Sequence, residues 1–154
     1  MENRRLALTI PGTLIGLNEY TRANRTQAIA GANMKRIEER KIMHYIDLQL
    51  LHNLEEFVPI KKVYIFFRWI EPNKMRDPDN IAFAKKFILD ALCTKGILTG
   101  DGWREIKGFN DDFEISKDRP RIEVIIQELD DEEDKNVASN KRKKSKKGEN
   151  SAQV

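Results

Sequence analysis

The spacing of apolar positions changes several times along this chain, and each change predicts an element. Residues 4–10, RRLALTI, form a short apolar run closed by Pro11-Gly12, the pattern of a strand stopped by a turn. The next stretch, GLNEYTRANRTQAIAGAN, has no clean period and carries Asn18, Arg22, Asn24 and Arg25, which predicts a long loop. A helical period covers Met34 to Leu54. There Met34, Ile37, Tyr45, Leu48 and Leu51 fall near i, i+3/i+4 and i+7, opposite Lys35, Arg36, Glu38, Glu39 and Arg40, and Asn33 is placed to cap the start.

After Pro59, the string KKVYIFFRWI (61–70) is β-branched and aromatic. Val63, Ile65, Phe67 and Trp69 alternate with Tyr64, Phe66 and Arg68, so this strand is expected at the centre of a sheet, covered on both faces. Residues 78–92 predict a second helix. Gly-rich turns follow at Lys95-Gly96 and Thr99–Gly102, then strands at 103–109 and 120–129. The order strand–loop–helix–strand–helix–strand–strand predicts an α+β (mixed α/β) domain, with about four strands in a small mixed sheet and two main helices packed on it.

The domain is expected to span residues 1–128. From 129 to 154 the composition changes to an acidic block and then the basic run KRKKSKK, with no aromatic residue. Such a segment buries too little apolar surface to offset its ordering entropy, which predicts a disordered tail. Counted from Glu128 it holds seven acidic and seven basic side chains, so the net charge of +3 belongs to the domain.

Composition narrows the chemistry. No run of 18 apolar residues spans a membrane, and the N-terminal apolar patch is too short for a secretory core, so a cytoplasmic protein is expected. The single cysteine, Cys93, rules out an internal disulfide framework and is expected to be a packed, inert thiol. His44 and His52 are the only histidines and have no cysteine partners, which leaves little room for zinc or for Ser-His-Asp chemistry. Catalysis here would rest on carboxylates, lysines and a hard metal.

Those groups gather in PNKMRDPDNIAFAKKFILDAL. Asp77-Pro78 is an ordinary helix start, and Asp79 in the first turn complements the helix dipole. On one continuous helix, Ile81, Ala84, Ile88, Ala91 and Leu92 share the core face. Asp79, Phe83, Lys86 and Asp90 share the other, with Phe83 expected at a dimer contact. A third carboxylate, Asp101, lies in a Gly-Asp-Gly turn. Three carboxylates without thiols suit Mg²⁺ or Mn²⁺, and the string does not fit an EF-hand, which would need a further oxygen ligand at Ile81.

Taken together, these motifs resemble the RusA-type Holliday-junction resolvases, small endonucleases found mostly in phages, prophages and bacteria. The likeness runs from about Leu6 to Ile126. It rests on Asn18-Glu19-Tyr20 with Arg22, on Arg76-Asp77-x-Asp79-Asn80, on Asp90-Ala91-Leu92, and on Gly96 and Asp101. The interval from the central motif to Asp90 is three residues longer than in the best-known members, and Gly100 stands where many carry a second acidic residue.

The resemblance implies a homodimer that cuts four-way DNA junctions in recombination and repair, with Asp77, Asp79 and Asp101 as Mg²⁺ ligands and Lys86 as the functional helix lysine. Asn18, Arg22, Arg25, Lys61, Lys62, Arg76 and Lys86 are the candidate DNA contacts. Two other readings stand beside it. One is a nuclease of the same fold acting on other branched DNA; the other is a catalytically idle DNA-binding protein whose aspartates only start a helix.

Overall fold

A computed structural model describes residues 2–52 and 56–130. Strand β1 (Arg5–Pro11) is followed by helices α1 (Leu17–Thr26) and α2 (Ala28–Gln49), strand β2 (Val63–Glu71), helices α3 (Pro78–Ala82) and α4 (Lys85–Thr94), and strands β3 (Ile106–Ile115) and β4 (Arg121–Glu128). The strands form one four-stranded sheet in the order β1-β4-β2-β3. β4 is antiparallel to both β1 and β2, whereas β3 runs parallel to β2. This is the expected mixed α+β architecture. Among the described residues no helix is long and apolar enough to cross a membrane.

Alternation explains the core. Val63, Ile65, Phe67 and Trp69 of β2 are buried with Ile122, Val124 and Ile126 of β4 and Leu8 and Ile10 of β1, all facing the helices. Burying such side chains stabilises by about 1.5–3 kcal/mol each before ordering entropy is counted. The opposite face differs from expectation. Tyr64, Phe66 and Arg68 are half-buried, so β2 is central but the sheet is covered by helices on one side only. Arg68 there pairs with Glu114 and Glu123 from the two neighbouring strands. The Tyr64 ring lies where a side chain at position 108 would project: a Cβ on Gly108 would sit 2.5 Å from it. This close approach requires glycine.

Several boundaries are corrected. The expected long loop over residues 16–33 is instead α1 and the first turns of α2. No residue of α1 is fully buried, and its composition is mostly polar, so few strongly apolar positions mark it in the sequence. α2 starts at Ala28 after Gln27, not after Asn33. It buries Ile42 and Ile46 and leaves Ile37 and Leu48 exposed, a different face from the one expected. The expected end of this helix at Leu54 falls on residues outside the described set.

The helix expected over 78–92 breaks at Phe83-Ala84, where Ala84, Lys86 and Phe87 donate backbone N–H bonds to residues three back. That tighter winding invalidates a single helical wheel, although Ile81, Ala84, Ile88, Ala91 and Leu92 are all buried as expected. β3 starts three residues later than expected and runs to Ile115, and β4 closes the described fold. The expected disordered tail lies outside the described residues from 131 onward.

Candidate functional site

At the end of β2 the chain turns into the RDPDN segment, and the fold anchors that turn from below. Glu71 is 6% exposed, the only buried charged side chain among the described residues. Arg76 donates to it from Nε at 2.7 Å and donates from a terminal nitrogen to the Leu14 carbonyl at 2.9 Å. A buried carboxylate without a partner costs several kcal/mol, so this pair fixes where the turn sits. Arg76 is therefore a structural bracket, and it also lines the groove that holds Asn18 and Arg22.

Asn80 ties the same turn to α1. Its Oδ1 accepts the Asn18 backbone N–H at 2.9 Å, which satisfies one of the free donors at the start of that helix. Gly16, the residue before α1, packs so closely that a Cβ would lie 2.5 Å from Asn80 Oδ1. The Asn18 and RDPDN segments, 62 residues apart, thus form one unit. Asn18, Arg22 and Asn80 line an open groove beside it. Arg25 is exposed in the last turn of α1.

Above this bracket stand Asp77 and Asp79, both exposed. Asp77 occupies the N-cap position with Pro78 next to it, as expected, yet its side chain makes no capping hydrogen bond. The ordinary account of the residue, a carboxylate used to cap a helix, therefore leaves its oxygens unused. Two aspartates two residues apart at a helix mouth offer hard oxygen donors of the kind Mg²⁺ takes.

Asp101 is elsewhere. Asp77 lines a cleft with Phe113 and Ile115 at the far end of β3, whereas Asp101 lies beside Ile106, Gly108 and Phe109 at its beginning. Ten residues of strand, about 30 Å at ~3.3 Å each, separate those ends. Among the described residues no three His, Cys, Asp or Glu side chains are grouped to hold a metal ion. The expectation that Asp77, Asp79 and Asp101 converge within one chain is overturned: the α3–α4 rod carries the chain back along the sheet before Asp101 is reached.

The lysines are also sorted by the helix break. Lys86, the expected functional lysine, is exposed and lies 3.8 Å from Asp90, which is held more closely by Lys35 of α2 at 3.1 Å. The bond to Asp90 raises the Lys35 pKa above its ordinary value, outweighing the opposing effect of burial. Lys85 points to the sheet, pairs with Asp111 at 2.7 Å and rests over the Phe109 ring. Asp111 also accepts the Trp69 indole N–H at 2.9 Å. The sequence reading missed this cluster because Asn110-Asp111-Asp112 was not assigned to a strand. The alternation of Phe109, Asp111 and Phe113 was the signal that could have revealed it.

Phe83, expected on a bare charged face, instead packs against Tyr20 and Phe87 of its own chain. Lys61 and Lys62 stand at the start of β2, near Arg4 and Glu128, on the Asp101 side of the sheet. Cys93, near the end of α4, has its thiol pKa pushed up to about 11, chiefly by burial and further by Asp101, Asp90 and Glu105. It suits the inert role expected of it. The chain matches no protein-family model and no curated protein.

Proposed function

We propose that this protein is a metal-dependent endonuclease of the RusA type, acting on four-way or otherwise branched DNA as a homodimer in the cytoplasm. The observation that carries the reading is the mouth of α3. There, two exposed carboxylates, neither needed for capping, sit on a buried Glu71–Arg76 bracket joined to Asn18, so the two early motifs of the resemblance meet in space.

Because Asp101 lies at the other end of β3, one chain supplies only part of the ligand set. β3 is an edge strand, and two copies related by a twofold axis across that edge would run antiparallel. The start of one β3 then lies beside the end of the other, and the partner's Asp101 comes to Asp77 and Asp79. Mg²⁺ bound at such a site would supply a water of lowered pKa and positive charge for the scissile phosphate and leaving oxygen. Asp77, Asp79 and the partner's Asp101 would hold the ion, and Lys86 would offset developing negative charge. Arg22 and Arg25 would grip the DNA backbone beside the Asn18 groove, and Lys61 and Lys62 would do so near the Asp101 end.

The test is cleavage of a synthetic four-way junction, a flap and a linear duplex, each with and without Mg²⁺. Cutting that requires Mg²⁺ and a branch is expected, with loss of at least about 100-fold in Asp77→Asn, Asp79→Asn and Asp101→Asn while junction binding persists. Parental cutting in all three variants would end the metal-site reading. Binding to branched DNA without cutting under any divalent ion would instead favour the idle DNA-binding protein.

A further inference from the structure

Trp103 is 96% exposed, in a turn two residues after Asp101. Exposed tryptophan is unusual because its large apolar area gains most from burial, and at interfaces it is among the residues that hold most of the binding energy. Trp69, the other tryptophan, is 1% exposed in the core. At the opposite end of β3 the fold leaves a complementary feature. Pro78 and Ile81 of α3, with Phe113 and Ile115 of β3, line a cleft of about 270 Å³ directly beside Asp77. Phe113 and Ile115 are 40% and 48% exposed on β3, the outermost strand.

A projecting indole at one end of an edge strand and an apolar cleft at the other are self-complementary under one operation, a twofold axis across that edge. We propose that Trp103 of one copy seats in the cleft between α3 and β3 of a second copy, and so delivers its Asp101 to the partner's Asp77 and Asp79. The charged lining of the cleft is mixed, with Lys74 and Arg76 beside Asp77 and Glu114. The apolar seat for the indole, and not net charge, therefore carries the placement, with Asp77 within the lining as a partner for the exposed Arg104. The inference rests on the paired-copy reading of the metal site and names its anchor. Each dimer would hold two such anchors. Pairing this way also covers the β3 edge of each copy, leaving β1 as the other edge of each sheet.

The full chain carries its own reporter. Trp69 is shielded, so acrylamide quenching of tryptophan fluorescence reads Trp103. In metal-free protein without DNA, quenching is expected to fall as light scattering shows monomer passing to dimer. Trp103→Ala is fully exposed in the monomer and should fold normally, yet weaken the dimer at least about 100-fold, since two anchors are lost together. Phe113→Glu, which changes the cleft instead, should do the same, and Ile37→Glu on the exposed face of α2 should leave association unchanged.

A dimer in which Trp103 stays fully quenchable, or in which Trp103→Ala associates like the parent, overturns the anchor while leaving the endonuclease reading standing. So does quenching that falls only when junction DNA is added, which would make Trp103 a base-stacking residue. A dimer with buried Trp103 that cuts no DNA under any divalent ion sustains the anchor and sinks the endonuclease reading.

Discussion

The two ends of β3 carry the same exposed chemistry on opposite kinds of support. At the Asp77 end, the carboxylates stand on a buried ion pair, a side-chain bond to α1 and a glycine packed too tightly for any other residue. At the Asp101 end, the carboxylate sits on a turn between two glycines, braced by Glu105 accepting the Gly102 N–H at 3.1 Å, with a bare tryptophan next to it. The first end is preorganised by its own chain. The second is not, and that contrast is the ground for the proposed site shared between two copies.

Complementation breaks or sharpens this contrast most sharply. In a shared site, mixing inactive Asp77→Asn with inactive Asp101→Asn creates heterodimers with one fully intact set of ligands and one doubly defective set. Random exchange of subunits should restore about a quarter of the parental incision, as single-strand nicks, because half the dimers are mixed and each has one working site. A site contained in one chain gives no rescue, since every copy then carries its own defect. Gel analysis of a junction labelled on each strand in turn reads the outcome.

Stability tests the two supports themselves. Arg76→Ala leaves the Glu71 carboxylate buried without its partner and is expected to cost about 3 kcal/mol. Asp101→Ala removes a group that nothing in the chain leans on, and should change stability by less than about 0.5 kcal/mol. Urea unfolding followed by far-UV circular dichroism measures both. Equal costs would mean that the Asp77 end is no better founded than the Asp101 end.

What the amino acids revealed in advance follows the same division. Strands β2 and β4 were legible because each alternates under one buried face, and the core side of α3–α4 was legible from Ile81, Ala84, Ile88 and Leu92. α1 was not, because Tyr20 alone of its larger side chains reaches the core and the rest reads as polar loop. The residues of the candidate site could be picked out from their types. Their separation could not, since it depends on β3 running parallel to β2 and on a helix break that no Gly or Pro marks. The bracket role of Arg76 was hidden for a related reason: nothing in the local sequence shows that Glu71 is buried beneath it.

Adjacent lysines give a smaller test of how the helix break assigns roles. Lys85→Ala strips Asp111 of its ammonium and leaves it only the Trp69 N–H, at a cost of about 1–2 kcal/mol. Lys86→Ala, at an exposed position, should fall within about 0.5 kcal/mol. Cutting should show the reverse order, with Lys86→Ala the more harmful once both variants are assayed well below their melting temperatures. If Lys85→Ala abolishes cutting at full stability, the lysine serving the phosphate is the one above β3.

The smallest expected effect is at Cys93, where the thiol feels the Asp101 end directly. Burial is the larger cause of its rise from the ordinary 9.0 to about 11, and the carboxylates of Asp101, Asp90 and Glu105 add to it by opposing a nearby thiolate. The folded pKa lies above the unfolded one, so the associated stability is fully present below about pH 9 and is lost as pH rises through 11. Iodoacetamide reacts with the thiolate, so labelling of the folded chain should be slow at pH 8 and rise steeply toward pH 11. Asp101→Asn removes one opposing charge and should move that rise to lower pH by only a fraction of a unit, because burial remains. A shift as large as the whole elevation would mean that the Asp101 turn, and not the packing around α4, keeps the thiol protonated. The turn would then have to be held firmly against α4, and the contrast between a fixed Asp77 end and a lightly supported Asp101 end would fail.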